Sequence, residues 1–230
     1  MTVRSMIRMA ALVAASFVGT AWADFTFQPG DADWGTALTV VDGETIILDA
    51  GDDANWAGTV TVEAGGTLKT RGGLAVNGAT TVALGGTIDI ETGNASFNFN
   101  SKGITGSVII RSDAVLAINR SDAFFYNGGF SLHVYGTFDC RTFRQSFNNI
   151  DRLYLYDGAK VIGVGDGNGG MDFYADGCRM IVQGTSTIEA PVRARNANQN
   201  LNVACHDNAH VKFLGGFVGG GNVVQIAATA

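Results

Sequence analysis

The sequence predicts an all-β protein built as a solenoid of short strands, a reading that rests on three observations. Apolar side chains alternate with polar ones at period 2 and nowhere recur at helical spacing over a useful length. Glycine is abundant, 32 of 230 residues, while proline numbers only 2, so the excess belongs to tight turns and not to a disordered linker or a collagen. The chain also repeats itself: Gly30-Asp31-Ala32-Asp33-Trp34 precedes Leu38 as Gly51-Asp52-Asp53-Ala54-Asn55-Trp56 precedes Val60.

Before the repeat, Arg4 and Arg8 precede an apolar run from Met9 to Gly19, closed by Ala21-Trp22-Ala23. Charge, short apolar stretch and small-x-small site in that order predict a signal peptide over residues 1–23. The run falls short of the roughly 20 apolar residues that span a bilayer. Residues 24–230 are then one domain, secreted, periplasmic or at the cell surface, with no membrane span left. The leader holds two of the 15 basic residues and none of the 21 acidic ones, so the remainder has a net charge of −8. That charge disfavours nucleic acid as a partner.

The repeating unit reads as two strands joined by a turn rich in glycine or aspartate. First anchors fall at Leu38, Val60, Val82, Val108, Leu132, Leu153, Met180 and Val203, spaced by 22, 22, 26, 24, 21, 27 and 23 residues. Turn residues recur between the strands: Asp42-Gly43, Gly65-Gly66, Gly85-Gly86, Asp113, Gly136, Asp157-Gly158, Gly184 and Asp207-Asn208. Units this short bury no face alone, so they must stack, each strand on its counterpart. At about 4.8 Å per step, eight units make a rod of about 38 Å.

This periodicity resembles the right-handed parallel β-helix of the pectin-lyase-like superfamily and of autotransporter passenger domains, which implies about eight to nine rungs. An antiparallel β-sandwich is the alternative, because its strands also come every 8 to 12 residues or so with glycine turns.

If the anchors stack, the inward column runs Val40, Val62, Leu84, Ile110, Val134, Leu155, Val182, Cys205, apolar but for its last thiol. By the same parity Cys140 and Cys178 also face the core. Cys178 and Cys205 are offset by about 13 Å along their strands, beyond the reach of a disulfide, so three buried free thiols are expected.

The outward columns hold the candidate sites. Ile109, His133, Tyr154 and Ile181 form one, with Arg111, Tyr135, Tyr156 and Gln183 one step along. His133, Tyr135, Tyr154, Tyr156 and Arg111 make an aromatic and cationic patch suited to sugars, or else cross-strand pairs that stabilise the sheet. On the second strand Lys69, Asp89, Ala117, Asp139, Gly163, Glu189 and Lys212 align, with Arg71, Glu91 and Arg141 beyond them. Asp89 and Asp139, with Arg141, are the candidates for glycosidic or lyase chemistry, two rungs or about 9.6 Å apart. The segments that the resemblance would supply for catalysis, Asn-Thr-Asp of polygalacturonases and Arg-Pro of pectate lyases, are absent. Asp166, Asn168 and Asp172 lie on a glycine-rich segment whose oxygens suit calcium, although it fits no calcium-loop consensus.

No cofactor is called for. The function expected is a noncatalytic structural or adhesin-like rod that presents its side-chain ladders to an extracellular glycan or a surface protein. The alternative is a small polysaccharide lyase or hydrolase acting through the acidic face. Val224 and Ile226 begin a ninth rung, and residues 219–230 carry neither charge nor proline. Exposed strand edges recruit strands, so end-on self-association, or a longer rod of which this chain is a piece, is expected.

Overall fold

The computed structural model describes residues 24–76, 82–97, 99–118, 124–125, 129–142, 145–147, 152–164, 169–173, 178–194, 201–206, 208–218 and 224–229. Their regular structure is entirely β. The chain forms a β-solenoid of about seven turns, slightly fewer than the sequence suggested. Among the described residues Phe25–Phe27 precedes the first three-sided coil, and Phe217–Val218 and Val224–Thr229 follow the last. Strands pair in parallel with the strand one coil away, as Arg152–Tyr156 does with Arg179–Gln183. That pairing excludes the antiparallel sandwich.

Each coil has three strands where the sequence repeat suggested two. One coil runs Val60–Val62, Thr67–Arg71, Leu74–Val76; a later one runs Gln145–Phe147, Arg152–Tyr156, Lys160–Ile162. The middle members stack into a ten-stranded sheet and the last into an eight-stranded sheet. The first members divide between a four-stranded sheet in the N-terminal half and a five-stranded sheet in the C-terminal half.

This corrects the register of the anchors. Leu38, Val60 and Val82 do stack on one another, in the four-stranded sheet. Val108 pairs instead with Ile88, which stacks on Leu68 and through it on Ile46. From Val108 onward the expected order holds within the ten-stranded sheet, through Leu132, Leu153, Met180 and Val203 to Ile226. The frame slips because one strand–turn–strand pattern serves two corners. In the N-terminal half the conspicuous turns lead into the ten-stranded sheet; in the C-terminal half they lead out of it.

Glycine marks the corners because successive backbones lie on top of one another there. Gly72 and Gly93 both have positive φ, +78° each, and a Cβ on either would run into the carbonyl of the residue one coil below, Gly51 and Gly72 respectively.

The interior is filled by the inward columns. Leu68, Ile88, Val108, Leu132, Leu153 and Met180 are fully buried above one another. Strands of three residues have little stability alone, so this shared column, worth about 1.5–3 kcal/mol per large side chain, is what holds each coil on the next. Aromatic pairs continue the stack, Phe97 on Phe99 at 5.5 Å and Phe147 on Phe173 at 5.0 Å between centroids. At the N-terminal end the repeated tryptophans meet, Trp34 edge-on to Trp56 at 5.1 Å. Phe27 packs on Trp56 from the strand that pairs with Ile46–Leu48.

Cys140, Cys178 and Cys205 form no disulfide, as expected, and Cys140 and Cys178 are buried. Burial, with a smaller contribution from the Asp139 charge, pushes the Cys140 thiol well above its ordinary value. Cys205 departs from expectation in being only partly covered. It lies in the second-to-last rung, where the neighbour above Val182 is near the end of the apolar column.

Candidate functional site

The outer face of the ten-stranded sheet brings the aromatic candidates together, because in-register parallel strands place equal positions one rung apart. Ile109, His133, Tyr154 and Ile181 are direct neighbours in one row. Tyr156 sits beside Gln183 in the next. The His133 and Tyr154 rings stack at 4.4 Å and 3°, and those of Tyr135 and Tyr156 at 3.9 Å and 4°. The rings therefore lie across the rod axis and use their faces on one another, turning edges and polar tips outward.

A hydrogen-bonded chain ties the rows. His133 Nδ1 is 2.9 Å from Tyr156 Oη and its Nε2 is 3.2 Å from Ser131 Oγ, which in turn is 2.8 Å from Ser107 Oγ. Burial holds the His133 imidazole below its ordinary value. Burial first, then the hydrogen bond and charge of Tyr135, raise the Tyr156 phenol above its own. Both groups are thus neutral near pH 7, so one ring nitrogen of His133 donates and the other accepts between Tyr156 and Ser131. Ser107 and Ser131 did not stand out in the sequence. Their signal is the residue before each anchor of the ten-stranded sheet: Thr45, Thr67, Thr87, Ser107, Ser131 form one hydroxyl row.

Arg111 lies on the same face but is committed elsewhere. It grips Asp89 with two hydrogen bonds, Nε to Oδ1 at 2.9 Å and Nη2 to Oδ2 at 2.8 Å. That bond chiefly raises the Arg111 pKa. Below this pair Glu91 meets Arg71 at 2.6 Å and Lys69 at 3.4 Å. Burial would push the Glu91 carboxyl up, but the two cations outweigh it and hold the group below its ordinary value.

The expected acidic pair is not a pair. Asp89 stands between Lys69 and Ile109 on the ten-stranded sheet, whereas Asp139 stands between Ala117 and Ile162 on the eight-stranded sheet. The slipped register had put them in one column; they belong to different sides of the solenoid. Asp139 is closed by Arg141, whose Nε and Nη2 reach it at 3.0 and 2.7 Å. This pair borders a shallow groove of about 460 Å³ on the eight-stranded sheet, floored by Val115, Ala117 and Ile162 and edged by Asn94, Ser96 and Thr137.

Of the calcium candidates, Asp166 and Asn168 lie outside the described residues. Asp172 is fully buried beside its register neighbour Arg193, with Nη1 at 3.3 Å from Oδ1. Among the described residues no three histidine, cysteine or acidic side chains converge as a metal site.

The Ser131–His133 contact has the composition of a nucleophile and its base, but the third member is a phenol in place of a carboxylate. The Ser131 N–H, which an oxyanion hole would need, is bound to the Gly106 carbonyl at 3.1 Å. The geometry defines a regular parallel β-solenoid with one aromatic, hydrogen-bonded outer face. No family model, no curated protein and no solved structure matches the chain.

Proposed function

We propose that the chain is an exported, noncatalytic structural or adhesin-like rod, built on the plan of the pectin-lyase-like β-helices, whose ten-stranded face binds an extracellular glycan. The observation that carries this reading is the closure of the polar groups that catalysis would need. Asp89 and Asp139 lie on different sides of the solenoid, Asp89 neutralised by two hydrogen bonds from Arg111 and Asp139 by Arg141, whose guanidinium and backbone N–H both donate to it. A general acid and base for glycoside cleavage must instead flank one bond, one of them protonated. Support for export comes from residues 1–23, whose composition is that of a cleaved leader.

The stacked geometry favours one mode of glycan docking in this reading. With ring faces spent on neighbours, a saccharide meets the edges and hydroxyls of Tyr135, Tyr154 and Tyr156, so hydrogen bonding dominates over face stacking.

A glycan array with residues 24–230, followed by reducing-end and unsaturated-uronate assays on every glycan bound, tests the reading. Binding without turnover is expected. It should be lost in Tyr135→Phe with Tyr156→Phe and kept in Asp89→Asn with Asp139→Asn. Sustained release of product, abolished by the Asp changes, overturns it in favour of a polysaccharide-cleaving enzyme.

A further inference from the structure

The described residues include six arginines, and four of them, Arg71, Arg111, Arg141 and Arg193, are each bound to a carboxylate. The other two, Arg152 and Arg179, are exposed and stand directly opposite one another on adjacent rungs of the ten-stranded sheet. They continue the hydroxyl row, next to Ser131, and each lies two residues before a member of the aromatic row, Tyr154 and Ile181. Like charges placed opposite each other destabilise a sheet. In a chain of net charge −6 that neutralises its other described arginines, this step, with no carboxylate partner among the described residues, has the form of a site for an anion.

Two arginines on strands about 4.8 Å apart can bring their guanidinium forks to one group from neighbouring rungs. Within this protein a carboxylate such as Asp89 or Asp139 is saturated by a single fork. A pair of forks matches the three outward oxygens of a tetrahedral ester, sulfate or phosphate. We propose that the Arg152–Arg179 step binds a sulfate ester on a polysaccharide, the arginines clasping the oxyanion while Ser131 and Tyr154 lie beneath the sugar. The inference rests on the reading of this face as a glycan surface and adds the class of glycan. Among the described residues the cationic spot is confined to two rungs, with the ion-paired acids Asp89 and Glu91 further along the same face. A continuous polyanion such as nucleic acid would meet those acids, whereas an intermittently sulfated chain would not.

The test measures binding of residues 24–230 to immobilised dextran sulfate, phosphorylated dextran, polygalacturonate, unmodified dextran and single-stranded DNA. Dextran sulfate should bind most tightly. Its affinity should fall about tenfold or more per arginine in Arg152→Gln and Arg179→Gln, and be unchanged in Lys160→Gln, which removes one positive charge from the eight-stranded sheet. Because the arginines repel one another, each Gln variant should melt no lower than the wild type without ligand, which separates lost binding from lost folding. Tighter, arginine-dependent binding of phosphorylated dextran keeps the tetrahedral oxyanion and changes its source to phosphate. Equal affinity for polygalacturonate or DNA, or sulfate binding that ignores both arginines, overturns the proposal. Binding of unmodified dextran alone overturns it and leaves the glycan-binding function standing; binding of no polysaccharide removes both.

Discussion

The imidazole of His133 lies 4.4 Å above the ring of Tyr154 and within 3° of parallel to it, although the two residues are 21 positions apart in the chain. Nothing local brings them together. One coil of backbone does, and the stack continues on both sides into Ile109 and Ile181. The face is therefore as rigid as the sheet beneath it, and its properties follow from rungs acting together.

Inward and outward positions of one strand should differ sharply. Leu155 is fully buried between Val134 and Val182, so Leu155→Asp places an unpaired charge in a shared apolar column and should cost about 4 kcal/mol or more. Tyr154→Ser removes an outer-face stack and should cost about 1 kcal/mol. Denaturant midpoints of residues 24–230 measure both; equal losses would overturn the assignment of faces.

The corner glycines should rank by what lies beneath them. Gly72→Ala drives a methyl into the Gly51 carbonyl and should disrupt the corner, whereas Gly30, with positive φ but open space around it, should lose only about 1 kcal/mol as Ala. Thermal melts of the two variants compare them. Equal effects would show that φ alone, and not the approach of the coils, demands glycine.

A hydroxyl is stranded in the core at Thr70, which is buried between Leu48 and Ile90 with no partner for Oγ1. Thr70→Val keeps the shape and removes the unsatisfied group, and should raise stability by about 1 kcal/mol. A lower melting temperature would mean that the hydroxyl is satisfied in solution.

Acid should loosen the aromatic face before it loosens the rest. Burial holds His133 below its ordinary 6.5, so on acidification the unfolded chain takes up a proton first. In that window the unfolded state binds more protons than the folded one, and stability rises with pH. The contribution is complete above about pH 6.5 and is lost as pH falls towards the folded value. Around the ring stand Ser131, Tyr154 and Tyr156, with Arg111 in the adjacent row already paired to Asp89. Glu91, held down by Arg71 and Lys69, acts separately, its contribution being lost only below its ordinary 4.5. Melting at pH values of about 7.5 and 5.5 should therefore shift the wild type more than His133→Phe, which keeps the stacked ring and loses the proton. The same shift in both would assign the effect to other groups.

The buried ion pair should show strong coupling. Arg193→Leu removes the guanidinium from the fully buried Asp172 and should cost about 3–5 kcal/mol, while Arg193→Leu with Asp172→Leu should recover most of that loss. A double-mutant cycle by denaturant unfolding measures the coupling, and additive losses would overturn it. Calcium should leave the wild-type melting temperature unchanged, because the Asp172 carboxylate already has its cation.

Much of this architecture was legible along the chain. Period-2 alternation assigned Leu153 and Leu155 to the core and Tyr154 and Tyr156 to the surface, since the pleat fixes that choice residue by residue. The aromatic row was legible for the same reason once neighbouring units were aligned at Leu132 and Leu153. The Asp89–Asp139 relation was misread because the unit at Val82 and the unit at Val108 start on different sides of the coil. The Arg152–Arg179 step is not legible along the chain because it precedes the anchors, outside the apolar positions that carry the repeat.

By itself, then, the sequence determined an all-β chain, a stacking repeat, and the inward or outward sense of side chains such as Leu155 and Tyr154, because each of these is set by contacts within one strand or one turn. Only the tertiary structure decided that a coil has three sides, that Val108 rests on Ile88, and that Arg111 answers Asp89 while Arg152 stands opposite Arg179. The physical reason lies in the parallel coil. A strand's partner is a full turn away along the chain, the corners between sides share one glycine-rich chemistry, and register is selected by the apolar column that closes when all the coils are stacked together.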